Sequence, residues 1–192
     1  MGFAGKLEKA AVFALRNIIS PGSPYRCTQM MLWWFRRKGM KINGRPNYIS
    51  AKIWFDGTDY SMIELNEGCT ISSNVRILTH DWSPYTIGRG LGMKFDKPFG
   101  VFRPVTVGPF AFVGTYSVLM PGVTLGRGAV VGAGSVVRGK VDDWTIVAGS
   151  PAEPVGDSRQ YLRRQLERAG RNDLLEQFDR LVDQTRKSQA DG

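Results

Sequence analysis

An aliphatic residue recurs at every sixth position through the middle of the chain. The uninterrupted series is Val101, Val107, Val113, Leu119, Leu125, Val131 and Val137. Four residues after each member comes a small or β-branched residue, the first being Val105 and the last Val141. A period of six matches neither the α-helix nor the two-residue alternation of a strand. Three such hexapeptides close one triangular coil, so the pattern predicts an all-β solenoid, a parallel β-helix with the aliphatic side chains inward.

The repeat extends upstream but is interrupted. Leu65, Ile71 and Ile77 keep the same register, which then fails until Val101. We interpret residues 81–100 as a loop extruded from the coil, and loops of this length inside compact domains are usually functional. Glycine directly follows the aliphatic residue at positions 108, 114, 126 and 132. We expect glycine there to permit the backbone conformations of tight corners.

Helical spacing flanks the repeat on both sides. Residues 3–19 carry apolar side chains at i, i+4, i+7 and i+8, and further stripes follow Asp157. We therefore predict a helical segment over 1–40, the β-helix over 41–156 and a second helical segment over 157–192. The terminal helices are expected to pack on the solenoid or on a neighbouring subunit, because an open solenoid end needs a cap.

The formal net charge of +9 is concentrated near the N-terminus. Residues 1–50 hold nine Lys and Arg against the single acid Glu8, and Trp33, Trp34 and Phe35 directly precede Arg36-Arg37-Lys38. Two interpretations are open: a peripheral contact with an anionic membrane or polyanion, or a solvated helix end whose aromatic rings cap a core. We predict no nucleic-acid partner, since the basic excess is terminal and no recognised binding module accompanies it.

Cysteine and histidine usage excludes several classes of protein. Two Cys, at 27 and 69, cannot form a disulfide framework, and one His with two Cys cannot complete a tetrahedral zinc site. We therefore predict no metal and a reducing, cytoplasmic location. The longest apolar stretch near the start, residues 10–15, is far shorter than the ~20 residues of a membrane-spanning helix.

Residues 40–156 resemble the hexapeptide-repeat acyltransferases, whose fold is a left-handed parallel β-helix. The segments that carry the resemblance are 77–81 (Ile-Leu-Thr-His-Asp), 113–126, 131–137 and the closing 146–152. Within that family, a Thr-His-Asp segment before an extruded loop is similar to the O-acetyltransferases of sugars and capsular polysaccharides. The resemblance implies acetyl-CoA as co-substrate, and a homotrimer with active sites between neighbouring subunits. Outward apolar positions such as Phe110, Phe112 and Val118 also favour an oligomer.

His80, the one histidine of the chain, lies where the period fails. Acetyl transfer from a thioester to a hydroxyl needs a base, and imidazole is the usual choice; the resemblance assigns that role to His80. We expect Asp81 to be catalytic, although adjacent residues of a strand point to opposite faces. Asp56 is either a contact for the acceptor or a turn residue before glycine. In the loop, Trp82 and Tyr85 are expected to bind the acceptor.

Coenzyme A needs backbone partners for its pantetheine arm and cations for its phosphates. The family pattern implies that Gly114, Thr115, Ala133 and Ala148 meet the pantetheine and thioester. Arg138 and Lys140 are candidates for the phosphates, with ordinary solvent-facing cations as the alternative. Glu153 stands where relatives often carry Arg or Lys.

We therefore predict an acetyl-CoA-dependent sugar or polysaccharide O-acetyltransferase working by direct transfer in a ternary complex. One alternative is the same chemistry on another acceptor, such as an antibiotic, serine or an amino-sugar nitrogen. The other is a catalytically silent β-helix scaffold that binds a membrane or polyanion. His80 and the extruded loop argue against the scaffold.

Overall fold

The computed structural model describes residues 11–12, 14–16, 18–19, 22–56 and 59–190, with side chains up to residue 183. The chain forms two compact units, Met1–Val155 and Gly156–Gly192. The first ten residues, which include much of the predicted N-terminal stripe, lie outside the described residues. The described residues between 11 and 19 are helical.

Short strands make up the first unit. In chain order they are β1 Lys41–Ile42, β2 Tyr48–Ile49, β3 Trp54–Phe55, β4 Ile63–Leu65, β5 Thr70–Ile71, β6 Arg76–Ile77, β7 His80–Asp81, β8 Val101–Phe102, β9 Val105–Val107, β10 Phe112–Val113, β11 Val118–Leu119, β12 Thr124–Leu125, β13 Val130–Val131, β14 Val136–Val137, β15 Lys140–Val141, β16 Thr145–Gly149 and β17 Ala152–Asp157. A 3₁₀ helix, Tyr60–Met62, precedes β4.

The strands belong to three sheets that the chain visits in rotation. The first sheet has the order β1-β4-β9-β12-β15, the second β17-β16-β13-β10-β5-β2 and the third β14-β11-β6-β3. Neighbouring strands from β1 to β16 within each sheet are parallel. Val118 pairs with Val136, so one full rotation there takes the 18 residues of three hexapeptides. The parallel three-sheet arrangement is the one that the six-residue period predicts.

Both repeated registers of the sequence form the core. Val113, Leu119 and Val131 of the aliphatic register are fully buried, and so are Ser117 and Ala129 of the small register. The exception is the first member of the series. Val101 is only half-buried, because it belongs to the antiparallel pair β7–β8 and not to one of the three sheets. The expectation that the inward series begins at this residue is therefore wrong.

The glycines that follow the aliphatic positions serve a different purpose from the one predicted. A Cβ on Gly108 would lie 2.3 Å from the Leu125 oxygen, and one on Gly114 would lie 2.6 Å from the Ala133 nitrogen. These glycines let successive coils approach closely, and their φ angles are not positive. The left-handed corner positions are instead held by residues such as Phe110 (φ 57°) and Gly128 (φ 62°).

The α-helix Pro24–Arg37 (α1) packs against β1 and β2 at the start of the stack. Ser23 caps its N-terminus, and Trp34 and Phe35 are buried against the core. Trp33 stays exposed, with the Arg37 guanidinium 5.0 Å from its ring. Two of the three aromatic residues that were expected to cap the core, Trp34 and Phe35, are thus core residues. Among the described residues, no helix is both long and apolar enough to cross a membrane.

The segment between β6 and β9 leaves the stack at the corner where the chain passes from the third sheet to the first. Its ends pair as the antiparallel strands β7 and β8, with His80 opposite Phe102. The segment was predicted as a loop, but it contains the eight-residue helix Ser83–Gly90 (α2). Pro84 at the start of α2 fits a helix N-terminus, where its missing N–H costs no hydrogen bond.

The second unit consists of α3, Ser158–Arg168, and α4, Asn172–Ala190, which contact each other. Asp157 caps α3 by accepting hydrogen bonds from the backbone N–H groups of Arg159 and Gln160. These hydrogen bonds, with that from the Arg159 side chain as the largest contribution, lower the pKa of Asp157.

Candidate active site

The His80 side chain contacts a carboxylate of the preceding coil. Asp56 directly follows β3, and its backbone N–H donates to the Ile77 oxygen of the next coil (3.2 Å). This register places Asp56 Oδ2 3.0 Å from Nδ1 of His80. The imidazole is 24% exposed and the carboxylate only 7%. A buried anion therefore faces one ring nitrogen, while part of the ring stays open to solvent.

The Asp56 carboxylate is also tied to the backbone that carries the histidine. Oδ2 accepts hydrogen bonds from the N–H groups of Thr79 (2.8 Å) and His80 (3.3 Å), and Oδ1 accepts one from the Thr79 hydroxyl (3.0 Å). These contacts satisfy both oxygens inside the protein, as a buried carboxylate requires. Asp56 is therefore held against His80 and its backbone, and the predicted contact of Asp56 with the acceptor stays a prediction.

Asp81 does not contact the imidazole. It is exposed, and its Oδ1 accepts a hydrogen bond from the Ser83 N–H (2.8 Å) at the start of α2. That hydrogen bond lowers the pKa of Asp81, with smaller contributions from the charges of Arg138 and Arg103. The alternation of a strand explains this placement: β7 directs His80 and Asp81 to opposite sides. The geometry therefore gives the expected catalytic Asp81 no direct part in orienting the base.

Two partly exposed aromatic rings flank His80. The Trp82 centroid lies 6.1 Å from that of His80 and the Phe102 centroid 5.7 Å away, and these rings contact each other edge to face. Trp82 is 44% exposed and Phe102 54%. Sequence reasoning missed Phe102, because only the β7–β8 pairing brings it opposite His80.

Tyr85 lies elsewhere in the inserted segment. Its ring contacts those of Phe95 and Phe99, and its hydroxyl oxygen accepts a hydrogen bond from Arg89 (3.3 Å). These contacts stabilise the segment around α2. These described contacts of Tyr85 do not include His80, and its contact with the acceptor stays a prediction.

The residues predicted to meet pantetheine lie at the corner after the second sheet. Gly114 abuts the Ala133 backbone of the next coil, and Gly132 abuts Ala148 of the coil after that. The Thr115 hydroxyl donates a hydrogen bond to the backbone oxygen of Ser73 (2.6 Å), and the backbone oxygen of Thr115 accepts one from the Gly134 N–H (2.8 Å). The structure thus collects Gly114, Thr115, Ala133 and Ala148 at one corner, while His80 lies at the next corner along the chain.

Arg138 and Lys140 share a cleft at the end of the stack. The cleft has a volume of 480 Å³, and Asp142, Thr145 and Glu153 also line it. Lys140 Nζ lies 2.8 Å from Asp142 Oδ1, a hydrogen bond that raises the pKa of Lys140. Arg138 follows β14, a strand of the same sheet as β6, so it lies at the same kind of corner as His80.

Neither thiol is placed for nucleophilic chemistry. Cys27 and Cys69 are both buried, and burial raises the pKa of the Cys69 thiol to about 12. A thiol needs to ionise to attack an acyl group, so a covalent acetyl-cysteine step gains no support. Among the described residues, no group of three or more His, Cys, Asp or Glu side chains could hold a metal ion.

A parallel stack of hexapeptide coils with a histidine at an interrupted corner defines a class of protein, and comparison with known families agrees. Residues 104–139 match the family described as bacterial transferase hexapeptide (six repeats). Protein CapG of Staphylococcus aureus is 32% identical over 134 residues, which cover 70% of this chain and 75% of CapG. The chain belongs to the hexapeptide-repeat acetyltransferase family.

Another relative is longer than this chain. The probable acetyltransferase Rv3034c of Mycobacterium tuberculosis is 28% identical over 158 residues, 69% of this chain and 52% of that protein. The chain thus spans about half the length of this relative. Among solved structures, a galactoside acetyltransferase in complex with coenzyme A aligns with a TM-score of 0.51 and 18% identity, covering 79% of this chain and 80% of that one. That likeness concerns the fold.

Proposed function

We propose that this protein transfers an acetyl group from acetyl-CoA to a hydroxyl of a sugar or polysaccharide precursor, with His80 as general base. The observation that carries the proposal is the 3.0 Å contact between His80 Nδ1 and the buried Asp56 carboxylate. Because a carboxylate can only accept, the ring hydrogen belongs on Nδ1, and Nε2 keeps a lone pair for a substrate proton.

The chemistry then follows in one transfer within a ternary complex. Nε2 of His80 takes the proton of the acceptor hydroxyl as its oxygen forms a bond to the acetyl carbon. The C–S bond of the thioester breaks, and the sulfur leaving group takes the proton back from Nε2. Asp56 stabilises the imidazolium that exists between these events, because its negative charge is buried beside Nδ1. No covalent enzyme intermediate is needed, consistent with the inert cysteines.

Acetyl-CoA supplies the activated acetyl group, and two features of the described residues suit it. Gly114 and Ala133 carry little or no side chain at a corner where coils already approach closely, which leaves backbone groups accessible to a pantetheine arm. Arg138 offers a guanidinium beside the terminal cleft, where phosphates would find a fixed charge. Lys140 is the weaker candidate, because Asp142 already neutralises part of its charge.

The exposed rings beside the base support a sugar acceptor. The ring centroids of Trp82 and Phe102 lie 6.1 and 5.7 Å from that of His80, and both rings are partly exposed. A pyranose carries C–H groups on one face and hydroxyls at its edge, so stacking on such a ring would direct a hydroxyl towards the imidazole. A small apolar surface with one convergent polar group is the usual composition of a ligand site.

We propose further that the stack is a left-handed β-helix and assembles as a homotrimer, as the family resemblance implies. Support for assembly comes from a comparison of the outward residues on two of the three sheets. On the first sheet they are Lys41, Glu64, Thr106, Thr124 and Lys140, and on the second Tyr48, Thr70, Phe112, Val130 and Ile146. The first face suits water and the second suits a protein partner. Light scattering that gives a particle of one chain, 21.3 kDa, would contradict the trimer.

The activity is tested directly by screening. Purified protein is incubated with acetyl-CoA and a panel of glycans and nucleotide-sugars, and free thiol is measured as coenzyme A is released. We expect release that depends on a hydroxylated acceptor and an acetyl ester in the product by mass spectrometry. Acetyl-CoA that neither binds nor turns over with any acceptor would favour a silent scaffold, whereas products carrying acetamides would identify a nitrogen acceptor.

A further inference from the structure

The C-terminal unit has no buried side chain among its described residues. Between Gly156 and Asp183, every residue is half-buried or exposed, although α3 and α4 contact each other. The apolar residues involved are Tyr161, Leu162, Leu166, Leu174, Leu175, Phe178, Leu181 and Val182. Tyr161, Leu162 and Leu181 are each about half exposed. Two helices with so little burial gain little stability from packing, so this apolar surface calls for a cover.

The two helices carry opposite charge. α3 contains four Arg residues and one Glu, whereas residues 172–183 of α4 contain four acidic residues and one Arg. Within the unit, Arg163 pairs with Asp179 and Glu167. Arg164 and Arg168 on α3, and Glu176 and Asp183 on α4, belong to no ion pair among the described residues. The sequence thus offers complementary charges that form no ion pairs among the described residues.

We propose that the C-terminal units of two copies of this chain associate, with α3 of one copy lying along α4 of the other. The association would cover Tyr161 and Leu162 and bring Arg164 and Arg168 against the partner's acidic helix. An interface of this kind is self-complementary, so each α3–α4 contact occurs twice about a two-fold axis. Opposite charge on facing helices guides such pairing and disfavours other arrangements.

Charge balance favours a second copy over other occupants. Residues 157–192 hold eight basic and seven acidic residues, so an anionic membrane or polyanion that attracts α3 is repelled by the acidic first part of α4, residues 172–183. A partner with the same two helices is attracted by both. The proposal is independent of the acetyl transfer. A cyclic homotrimer has no two-fold axis of its own, so in the proposed trimer this contact would join two copies that belong to different trimers.

The test uses full chains that carry one new cysteine each, because Cys27 and Cys69 are buried. Chains with Leu162→Cys and chains with Leu181→Cys are mixed and treated with a short bismaleimide. We expect a cross-linked dimer well above the level of the unmodified chain. Introducing Arg164→Glu and Arg168→Glu into both chains should lower its yield at least fivefold.

The decisive part of the test asks whether compensating charges restore the cross-linked dimer. One chain carries Arg164→Glu and Arg168→Glu, and the other carries Glu176→Lys and Asp183→Lys; each alone should cross-link poorly, and the mixture should regain the dimer. Far-ultraviolet circular dichroism checks that each variant is folded. No dimer at any concentration, or a yield indifferent to charge reversal, would overturn the proposal. So would flotation with phosphatidylserine vesicles that depends on Arg164 and Arg168, which would identify a membrane as the occupant.

Discussion

Asp56 Oδ2 lies 3.0 Å from His80 Nδ1, although 24 positions separate the two residues along the chain. The same carboxylate holds the backbone of Thr79 and His80, so the histidine is fixed both through its ring and through its main chain. This arrangement fixes the imidazole before any substrate arrives, which is what the proposed role of His80 as general base requires.

Replacing the base should abolish most of the activity. We expect His80→Ala to lower the rate of acetyl transfer by ~10²–10⁴-fold, the usual contribution of a general base. The unfolding midpoint and acetyl-CoA affinity should change little, since the imidazole is partly exposed. Thiol release and calorimetric titration measure the two quantities. Turnover above about a third of the wild-type rate would refute the assignment.

The two aspartates near His80 should behave differently. Asp56→Asn keeps the shape of the side chain but removes the charge that stabilises an imidazolium, so we expect kcat to fall about 10–100-fold. Asp81→Asn, the matched control, should change kcat less than about twofold, because Asp81 accepts a hydrogen bond from the Ser83 N–H and has no described contact with the ring. The dependence of kcat on pH provides a second readout. Equal effects of the two substitutions would show that Asp56 has no special role.

The charges at the terminal cleft should affect coenzyme binding but not the acceptor. If Arg138 contacts a phosphate, Arg138→Ala removes a charge-assisted hydrogen bond of ~1–2 kcal/mol. The dissociation constant of acetyl-CoA should then rise roughly five- to thirty-fold. Lys140→Ala should have a smaller effect, since Asp142 already pairs with Lys140. Because salt screens exposed charges, the difference in acetyl-CoA affinity between wild type and each variant should be larger at low salt than at high salt.

A control and a truncated ligand refine the test of Arg138. Arg127 lies over the Phe110 ring at a different corner, so Arg127→Ala should leave coenzyme affinity unchanged. With dephospho-coenzyme A, wild type and Arg138→Ala should converge if Arg138 serves the 3′-phosphate, and remain apart if it serves the pyrophosphate. Identical acetyl-CoA affinities for wild type, Arg138→Ala and Lys140→Ala would place the phosphates elsewhere.

Glycines of two kinds should differ in their tolerance of substitution. A Cβ on Gly114 would lie 2.6 Å from a backbone nitrogen, so Gly114→Ala forces two coils apart and should cost about 1–3 kcal/mol of unfolding free energy. Gly134 has φ 71° and open space around it. Asparagine tolerates that conformation, so Gly134→Asn should cost less than about 1 kcal/mol. Urea unfolding compares them, and a larger loss for Gly134→Asn would contradict the close-approach explanation.

Burial of Cys69 predicts a loss of stability in alkali. The folded pKa is about 12, against an ordinary value of 9.0, so only the unfolded chain ionises between these values. The Cys69 contribution is therefore complete below pH 9 and falls by up to about 1.4 kcal/mol per pH unit above it. The free energies of unfolding of wild type and Cys69→Ala, measured in urea, should therefore differ less at pH 10 than at pH 8. An equal difference at the two pH values would disprove the prediction.

Much of the fold follows from local sequence. The six-residue period of Val113, Leu119 and Leu125 predicts which side chains point inward, because each hexapeptide repeats the same short strand and turn. Residues buried this way need only their nearest neighbours to specify their direction. The same locality explains why His80 could be singled out, since it stands where the period stops.

What the sequence by itself determined is the periodic stack, its inward residues and the position of the one histidine at its interruption. Tertiary structure decided which carboxylate contacts that histidine. Trp54 pairs with Arg76, 22 residues on, whereas Val118 pairs with Val136 after 18, so the early coils are longer than the period predicts. The register of Asp56 beneath His80 depends on those extra residues. Similarly, Phe102 reaches the ring only through the β7–β8 pairing, and contacts between such distant segments carry no local signal.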